Sequence, residues 1–186
     1  MKTIVFCLEE PSAKEMLTGL LPKLLPSDTA PRFIVFKGKS DLEKKLPIYL
    51  RNWKIPNVRF LVIRDQDSAD CHLVKSRLLE LCRKAGRPET LVRIACHELE
   101  TFYLGDLSAV EAGLGLRGLA RKQNSRKFRE PDHLANPAQE LKRMTHEKYQ
   151  KMSGSRAIGP HLAIEGNRSK SFQVLVSGLR RLLENA

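Results

Sequence analysis

Phe60-Leu61-Val62-Ile63-Arg64-Asp65-Gln66-Asp67 is the stretch on which the reading of this chain turns. Four apolar residues in succession suit a central strand covered on both faces. Two carboxylates, two residues apart, follow at the strand's exit. With extended geometry continued, Asp65 and Asp67 project to one side and Gln66 to the other. Carboxylate oxygens are the ligands that magnesium and manganese prefer.

Outward from this stretch the chain alternates strand and helix. Strands are expected at 3–8, 32–36, 58–64 and 91–96. Ser12 with Glu15 forms a capping box for a first helix that Pro22 kinks or ends. Ser40 with Glu43 opens a second helix to about Leu50, kinked at Pro47. A third, over 69–85, stops at Gly86. Residues 98–104 look helical, and Ser108 with Glu111 caps a short turn. Asn136-Pro137 starts a helix to about Met152, and the last runs over 171–184 with an apolar stripe. The alternation predicts an α/β fold, a mainly parallel four-stranded sheet flanked by helices, with a basic helical C-terminal extension. Within this single domain, 1–112 form the α/β core and 113–156 a basic insertion of loop plus helix. Residues 157–186 form a C-terminal helix packing back on the core.

Right-handed crossovers put the C-terminal ends of parallel strands on one edge. Glu9-Glu10 follows strand one, Asp65 and Asp67 strand three, Glu98 and Glu100 strand four. Three acidic groups are therefore expected to converge. Lys37 and Lys39 follow strand two on the same edge. Such carboxylates can hold one or two metal ions that activate a water against a phosphodiester, with a glutamate as general acid or base.

The 186 residues carry a net charge of +12. That excess favours phosphate polymers through counterion release. Between Arg117 and Arg156 stand eleven Lys or Arg against four acidic residues, more than half of the net charge. Inside it, Arg126, Lys127 and Arg129 surround Phe128, a pattern that suits nucleic acid; a solvated loop is the alternative. Arg168 and Lys170 precede the last helix, where an anion is favoured. His97 and His161 read as structural or solvated, and Trp53, the only tryptophan, as a core or interface residue. No apolar stretch reaches the ~20 residues of a membrane span. The first residues read as a strand rather than a signal peptide. The four cysteines, without a CxxC pair, read as reduced thiols of a cytoplasmic protein.

An apolar strand ending in glutamate, followed by a later strand ending in DxD, resembles the Toprim domain of topoisomerases, primases and nucleases of the overcoming-lysogenization-defect type. More closely, the chain is similar to the Toprim-like domain-of-unknown-function-4276 family. The matching stretches are Leu8-Glu9-Glu10-Pro11-Ser12, Phe36-Lys37-Gly38-Lys39-Ser40-Asp41-Leu42 and Arg64-Asp65-Gln66-Asp67-Ser68. Ala95-Cys96-His97-Glu98-Leu99-Glu100-Thr101-Phe102-Tyr103-Leu104-Gly105-Asp106 and Asn167-Arg168-Ser169-Lys170-Ser171-Phe172 complete them. The resemblance implies Glu9, Asp65 and Asp67 as metal ligands, with Glu98 or Glu100 assisting. It implies a magnesium- or manganese-dependent nuclease acting on DNA or RNA, and an ABC-type ATPase partner in antiphage defence. Such families place glycine after the first glutamate, where this chain has Glu10. That departure keeps open the alternative of a non-catalytic module that binds nucleic acid or docks on an ATPase.

Overall fold

A computed structural model describes residues 2–184 of the protein. Four strands carry the fold: β1 (Lys2–Leu8), β2 (Thr29–Val35), β3 (Val58–Asp65) and β4 (Leu91–Ala95). Helices α1 (Pro11–Leu20), α2 (Lys39–Asn52) and α3 (Cys71–Lys84) connect them. Five more follow: α4 (Glu100–Leu104), α5 (Leu107–Leu114), α6 (Pro137–Met144), α7 (Lys151–Ile158) and α8 (Lys170–Glu184). The sheet is wholly parallel, in the order β2-β1-β3-β4. After β1 the chain steps to one side for β2, then crosses back to place β3 on the other. The order therefore reverses between β1 and β3, and a crevice opens where their C-terminal ends part. Leu8 pairs with Ile63 there, and the next residues out are Glu9 and Arg64-Asp65.

Both faces of the sheet are covered, as the unbroken apolar runs require. Ile4, Phe6, Leu8, Leu61 and Ile63 face α1 and the helices after β4, in one core with Leu141, Tyr149, Ile158 and Phe172. Val5, Cys7, Phe60 and Val62 face α2 and α3, meeting Leu42, Leu46, Leu50, Val74 and Leu78. Helices α6 and α7 thus belong to the first core, and α7 runs unbroken across residues 156 and 157. Close backbone contact fixes α7 against α1. A Cβ on Gly159 would stand 2.5 Å from the Met16 carbonyl oxygen, and one on Gly19 would strike Pro160.

Several local expectations change. Strand β2 begins earlier than expected, at Thr29, and Pro31 lies inside it. As an edge strand, β2 tolerates a residue without an N–H. Ser12 does not cap α1. Pro11 opens that helix, and the Ser12 hydroxyl donates to Glu10 Oε1 at 2.7 Å. Gly38, at φ 90°, precedes α2, so Ser40 lies inside the helix, and Glu43 turns to Arg64 and Arg77 instead of capping. Pro47 is accommodated within α2, which continues to Asn52. Helix α3 begins at Cys71 rather than 69, capped by Asp70, which accepts from His72 and Leu73 N–H. Gly86, at φ 76°, ends α3 as expected: its N–H reaches the Arg83 carbonyl and that of Arg87 the Cys82 carbonyl. Asp106, not Ser108, caps α5.

The helix expected over 136–152 is two helices, broken at Thr145 by a turn in which His146 and Glu147 take positive φ. Residues 153–155, beyond the end expected for that helix, lie in α7 with Gly154 and Ser155 buried. Phe128 is 6 % exposed and packs in the core, so its ring is not free to stack on a base, while Arg126, Lys127 and Arg129 around it are exposed. Gln123 secures that segment, donating to the Leu104 and Phe128 carbonyls and accepting from Leu107 N–H. The cysteines are free; Cys7 and Cys82 are buried, Cys71 and Cys96 half-buried. Among the described residues no helix is long and apolar enough to cross a membrane.

Candidate functional site

The crevice between β1 and β3 is where charged side chains meet. Glu9, first residue beyond β1, has a side chain 13 % exposed. Its Oε2 accepts the Asp65 backbone N–H at 3.1 Å and lies 3.8 Å from Arg64 Nε. Burial holds its carboxyl above the usual carboxylate range, against the pull of that hydrogen bond. Arg64 is itself 6 % exposed. It is secured by Glu43 of α2 at 2.7 Å, and Arg77 of α3 holds the other Glu43 oxygen at 2.8 Å. This chain of alternating charges ties Glu9 to both helices on one face of the sheet.

Asp65 ends β3 and is 9 % exposed. Among the described residues its carboxylate accepts no hydrogen bond. Burial, then the charges of Glu10, Glu100 and Glu9, push its carboxyl well above the ordinary range, with Lys151 opposing. Glu100, at the start of α4, is fully buried. Its Oε1 accepts the Tyr149 hydroxyl at 2.8 Å, and its Oε2 is buried with no partner. Burial raises its carboxyl too. Glu10 completes the group. Lys151, at the start of α7, donates to both Glu10 oxygens at 2.9 and 2.7 Å. Partial burial opposes the Lys151 charge, but Glu10, Glu100 and Asp65 more than offset it and hold the ammonium above its usual pKa.

Asp67 stands apart from this group. The strand ends at Asp65, and Asp67 takes φ 56°, so the expected two-residue alternation does not reach it. His97, at φ 58°, accepts the Asp67 N–H at its carbonyl, while Gln66 Oε1 accepts the His97 N–H. Asp and His are among the residues that tolerate this conformation best, and it recurs at functional sites. The Asp67 carboxylate pairs with Lys39 Nζ at 2.9 Å, and both side chains are more exposed than that of Glu9. That contact, with burial opposing, raises the Lys39 ammonium.

Glu98 has a different task. Its Oε2 accepts the Ala138 N–H at 2.7 Å, at the second residue of α6. A carboxylate there satisfies an orphan amide and favours the positive end of the helix. The two glutamates expected to act alike are therefore separated: Glu100 faces the acidic group, and Glu98 fastens α6 beside it.

The basic candidates divide similarly. Lys37 and Lys39 flank Gly38 at the β2 exit and are exposed, Lys39 on Asp67 and Lys37 beside Asp41. Arg126 and Arg129 are exposed. Lys127 is bound to Glu140 at 2.7 Å. Arg168 donates to Asn124, and Lys170 reaches Gln173 at 3.4 Å. The N-terminus of α8 does not await an anion, since Asp132 accepts the Ser171 N–H and Ser169 that of Phe172. Buried Asn167 binds the Phe102 carbonyl and Ser169 N–H, so this motif anchors α8 to α4. Arg129, Arg168, Lys170 and His133 line a cavity of about 420 Å³ beside it.

Among the described residues no three His, Cys, Asp or Glu side chains are assembled to hold one ion. The donor set nevertheless fits a hard divalent cation. It consists of carboxylate oxygens, two of its members are buried, and Glu100 Oε2 lacks any partner. Lys39 and Lys151 hold Asp67 and Glu10 away from a closed ligand set. Sequence reasoning passed over Tyr149, Lys151 and Arg64. Only the basic run 142–151, which ends at Lys151, gave a local signal for any of them.

No protein of curated function matches the chain. Among solved structures, the C-terminal region of the Burkholderia pseudomallei OLD protein is similar, at 17 % identity and TM-score 0.52, covering 97 % of this chain and 98 % of that one. The likeness shows a shared fold, the Toprim-like α/β architecture expected from the sequence. A family model described as "Domain of unknown function (DUF4276)" matches residues 8–180, and the chain belongs to that family.

Proposed function

We propose that the protein is a magnesium- or manganese-dependent nuclease acting on nucleic-acid phosphodiesters. One observation carries the reading: at the switch point of a parallel sheet, Asp65 and Glu100 are buried carboxylates, and among the described residues Glu100 Oε2 has no hydrogen-bond partner. Unpaired buried charge is costly and persists where a ligand makes use of it. Asp65, Glu100 and Glu9 would hold the cation, with Asp67 joining once Lys39 leaves it. The bound cation would supply Lewis-acid polarisation of the phosphate and a water of lowered pKa.

The chain's own groups would do the rest. Tyr149, by donating to Glu100 Oε1, fixes that carboxylate and leaves its second oxygen without a partner. Arg64, 3.8 Å from Glu9, offsets part of the cost of burying that carboxylate. Lys39 and Lys151, each now paired with an acid, are placed to exchange that acid for phosphate oxygens. Lys37, Arg126, Arg129, Arg168 and Lys170 would guide the polymer, with Lys127 after release from Glu140. An ABC-type ATPase partner and an antiphage role, which the resemblance implies, are part of the same proposal.

The test is divalent-dependent cleavage of supercoiled DNA, single-stranded DNA and RNA, with and without the candidate ATPase. Asp65→Asn and Glu100→Gln should abolish it, and Tyr149→Phe should reduce it by roughly 10- to 100-fold. Cleavage undiminished in Asp65→Asn would sink the reading. A second reading, a non-catalytic binding module, draws on Glu10, whose charge Lys151 already neutralises. It predicts no magnesium uptake by calorimetry and nucleic-acid affinity unchanged in Asp65→Asn.

A further inference from the structure

From Lys44 to Arg64 the chain contains no acidic residue and six Lys or Arg. This run covers the C-terminal half of α2 and the turn into β3. On α2, Leu42, Leu46 and Leu50 face the core. A flanking stripe, at helical spacing, is Lys45, Ile48, Tyr49 and Asn52. Ile48 is 48 % exposed, Tyr49 44 % and Ile55, beyond the helix, 43 %. Ile48, Tyr49, Asn52 and Trp53 line a notch of about 210 Å³. Its aromatic rings are held from within. Tyr49 meets Phe36 edge-on at 5.7 Å, Trp53 meets Phe60 edge-on at 5.6 Å, and Arg87 clasps the Trp53 carbonyl. Exposed Lys44, Lys45, Arg51 and Lys54 surround it. Of these, Lys45 alone has an acidic partner among the described residues, Asp41.

We propose that this notch is a binding site for single-stranded nucleic acid, with a base stacked on Tyr49 against the Trp53 wall and phosphates on Lys44, Arg51 and Lys54. Rings already fixed by core neighbours lose little freedom on stacking, and every base offers a π-face. The unpaired cations favour a polyanion, and they repel a second copy of this basic chain. The site lies at the C-terminal end of α2, whereas the acidic crevice lies beside its N-terminus. Binding here therefore stands whether or not that crevice cleaves.

Trp53 is the only tryptophan, so its fluorescence reports on this notch. An oligothymidylate of about 12 nucleotides, titrated in EDTA, should quench it saturably, with affinity falling as salt rises. Tyr49→Ala should weaken binding about fivefold or more, and Tyr49→Phe should restore it. Paired Lys44→Glu and Lys54→Glu should flatten the salt dependence. Asp65→Asn should leave the quenching intact, which separates this site from the crevice. Thermal melts check that each variant is folded. Absence of quenching, affinity unchanged in Tyr49→Ala, or stronger quenching by poly-glutamate than by the oligonucleotide would each overturn the proposal. The last result would assign the notch to an acidic protein.

Discussion

At Asp65 a buried carboxylate shares its surroundings with Glu9, Glu10 and Glu100, and Lys151 opposes only part of that charge. Asp65, Glu9 and Glu100 all keep their protons at pH values where the unfolded chain has lost them. Folded protein thus binds more protons than unfolded protein in that window, and stability falls as pH rises through it. In EDTA the contribution of these three carboxyls to the melting temperature should decline as pH rises from the carboxylate range toward neutrality, while Glu15, Asp41, Asp70, Glu80, Glu111 and Glu140, all lowered by their partners, work in the opposite sense. Asp65→Asn should raise the melting temperature at neutral pH by about 2–4 °C for each ~1 kcal/mol of relieved repulsion. Magnesium should stabilise the parent protein and not the variant. A neutral-pH melting temperature that falls in Asp65→Asn would refute this account of the crevice. The DxD spacing announced Asp65 correctly as a strand-end carboxylate. It did not announce the turn at φ 56° that sends Asp67 to Lys39, because that turn is fixed by bonds to Ala95 at the end of β4 and to His97 just beyond it.

At the scale of elements, α6 and α7 decide how the basic segment meets the sheet. Glu98 holds the start of α6 and Lys151, at the start of α7, holds Glu10. Tyr149, between them, inserts a fully buried ring beside Tyr103, at 5.9 Å, and beneath Glu100. Gly154 permits this, since a Cβ there would strike the Tyr149 ring. Glu98→Ala should lower stability by about 1 kcal/mol, the usual loss for a helix cap, while magnesium uptake at Asp65 and Glu100 persists. Calorimetric loss of that uptake would instead give Glu98 a place among the ligands. The sequence marked Asn136-Pro137 as a helix start because both residues act locally. It could not mark the break after Met144, since Thr145 to Gln150 contain no Gly or Pro and Glu147, Lys148 and Gln150 favour helix. Burial of Thr145 and Tyr149 against the core overrides their propensity.

Over the whole molecule, the net charge of +12 sits around an acidic crevice that it does not fill. Affinity for a polyanion should therefore be steep in salt, and magnesium should strengthen binding at the crevice by offsetting its local negative charge. Filter binding of single-stranded DNA from low to high salt, with and without magnesium, measures both. A salt-independent affinity would remove nucleic acid as the partner.

The sequence by itself determined the parallel α/β sheet and the acidic strand ends. Apolar runs, turn residues and strand-helix alternation act over short distances, and each is written in contiguous residues. Tertiary structure alone decided which carboxylates share one environment. Glu10, Asp65 and Glu100 meet Lys151 and Tyr149 across separations of 49 to 141 residues. Only the packing of α7 against α1 and α4 brings them together, since burial and charge act through space and not along the chain.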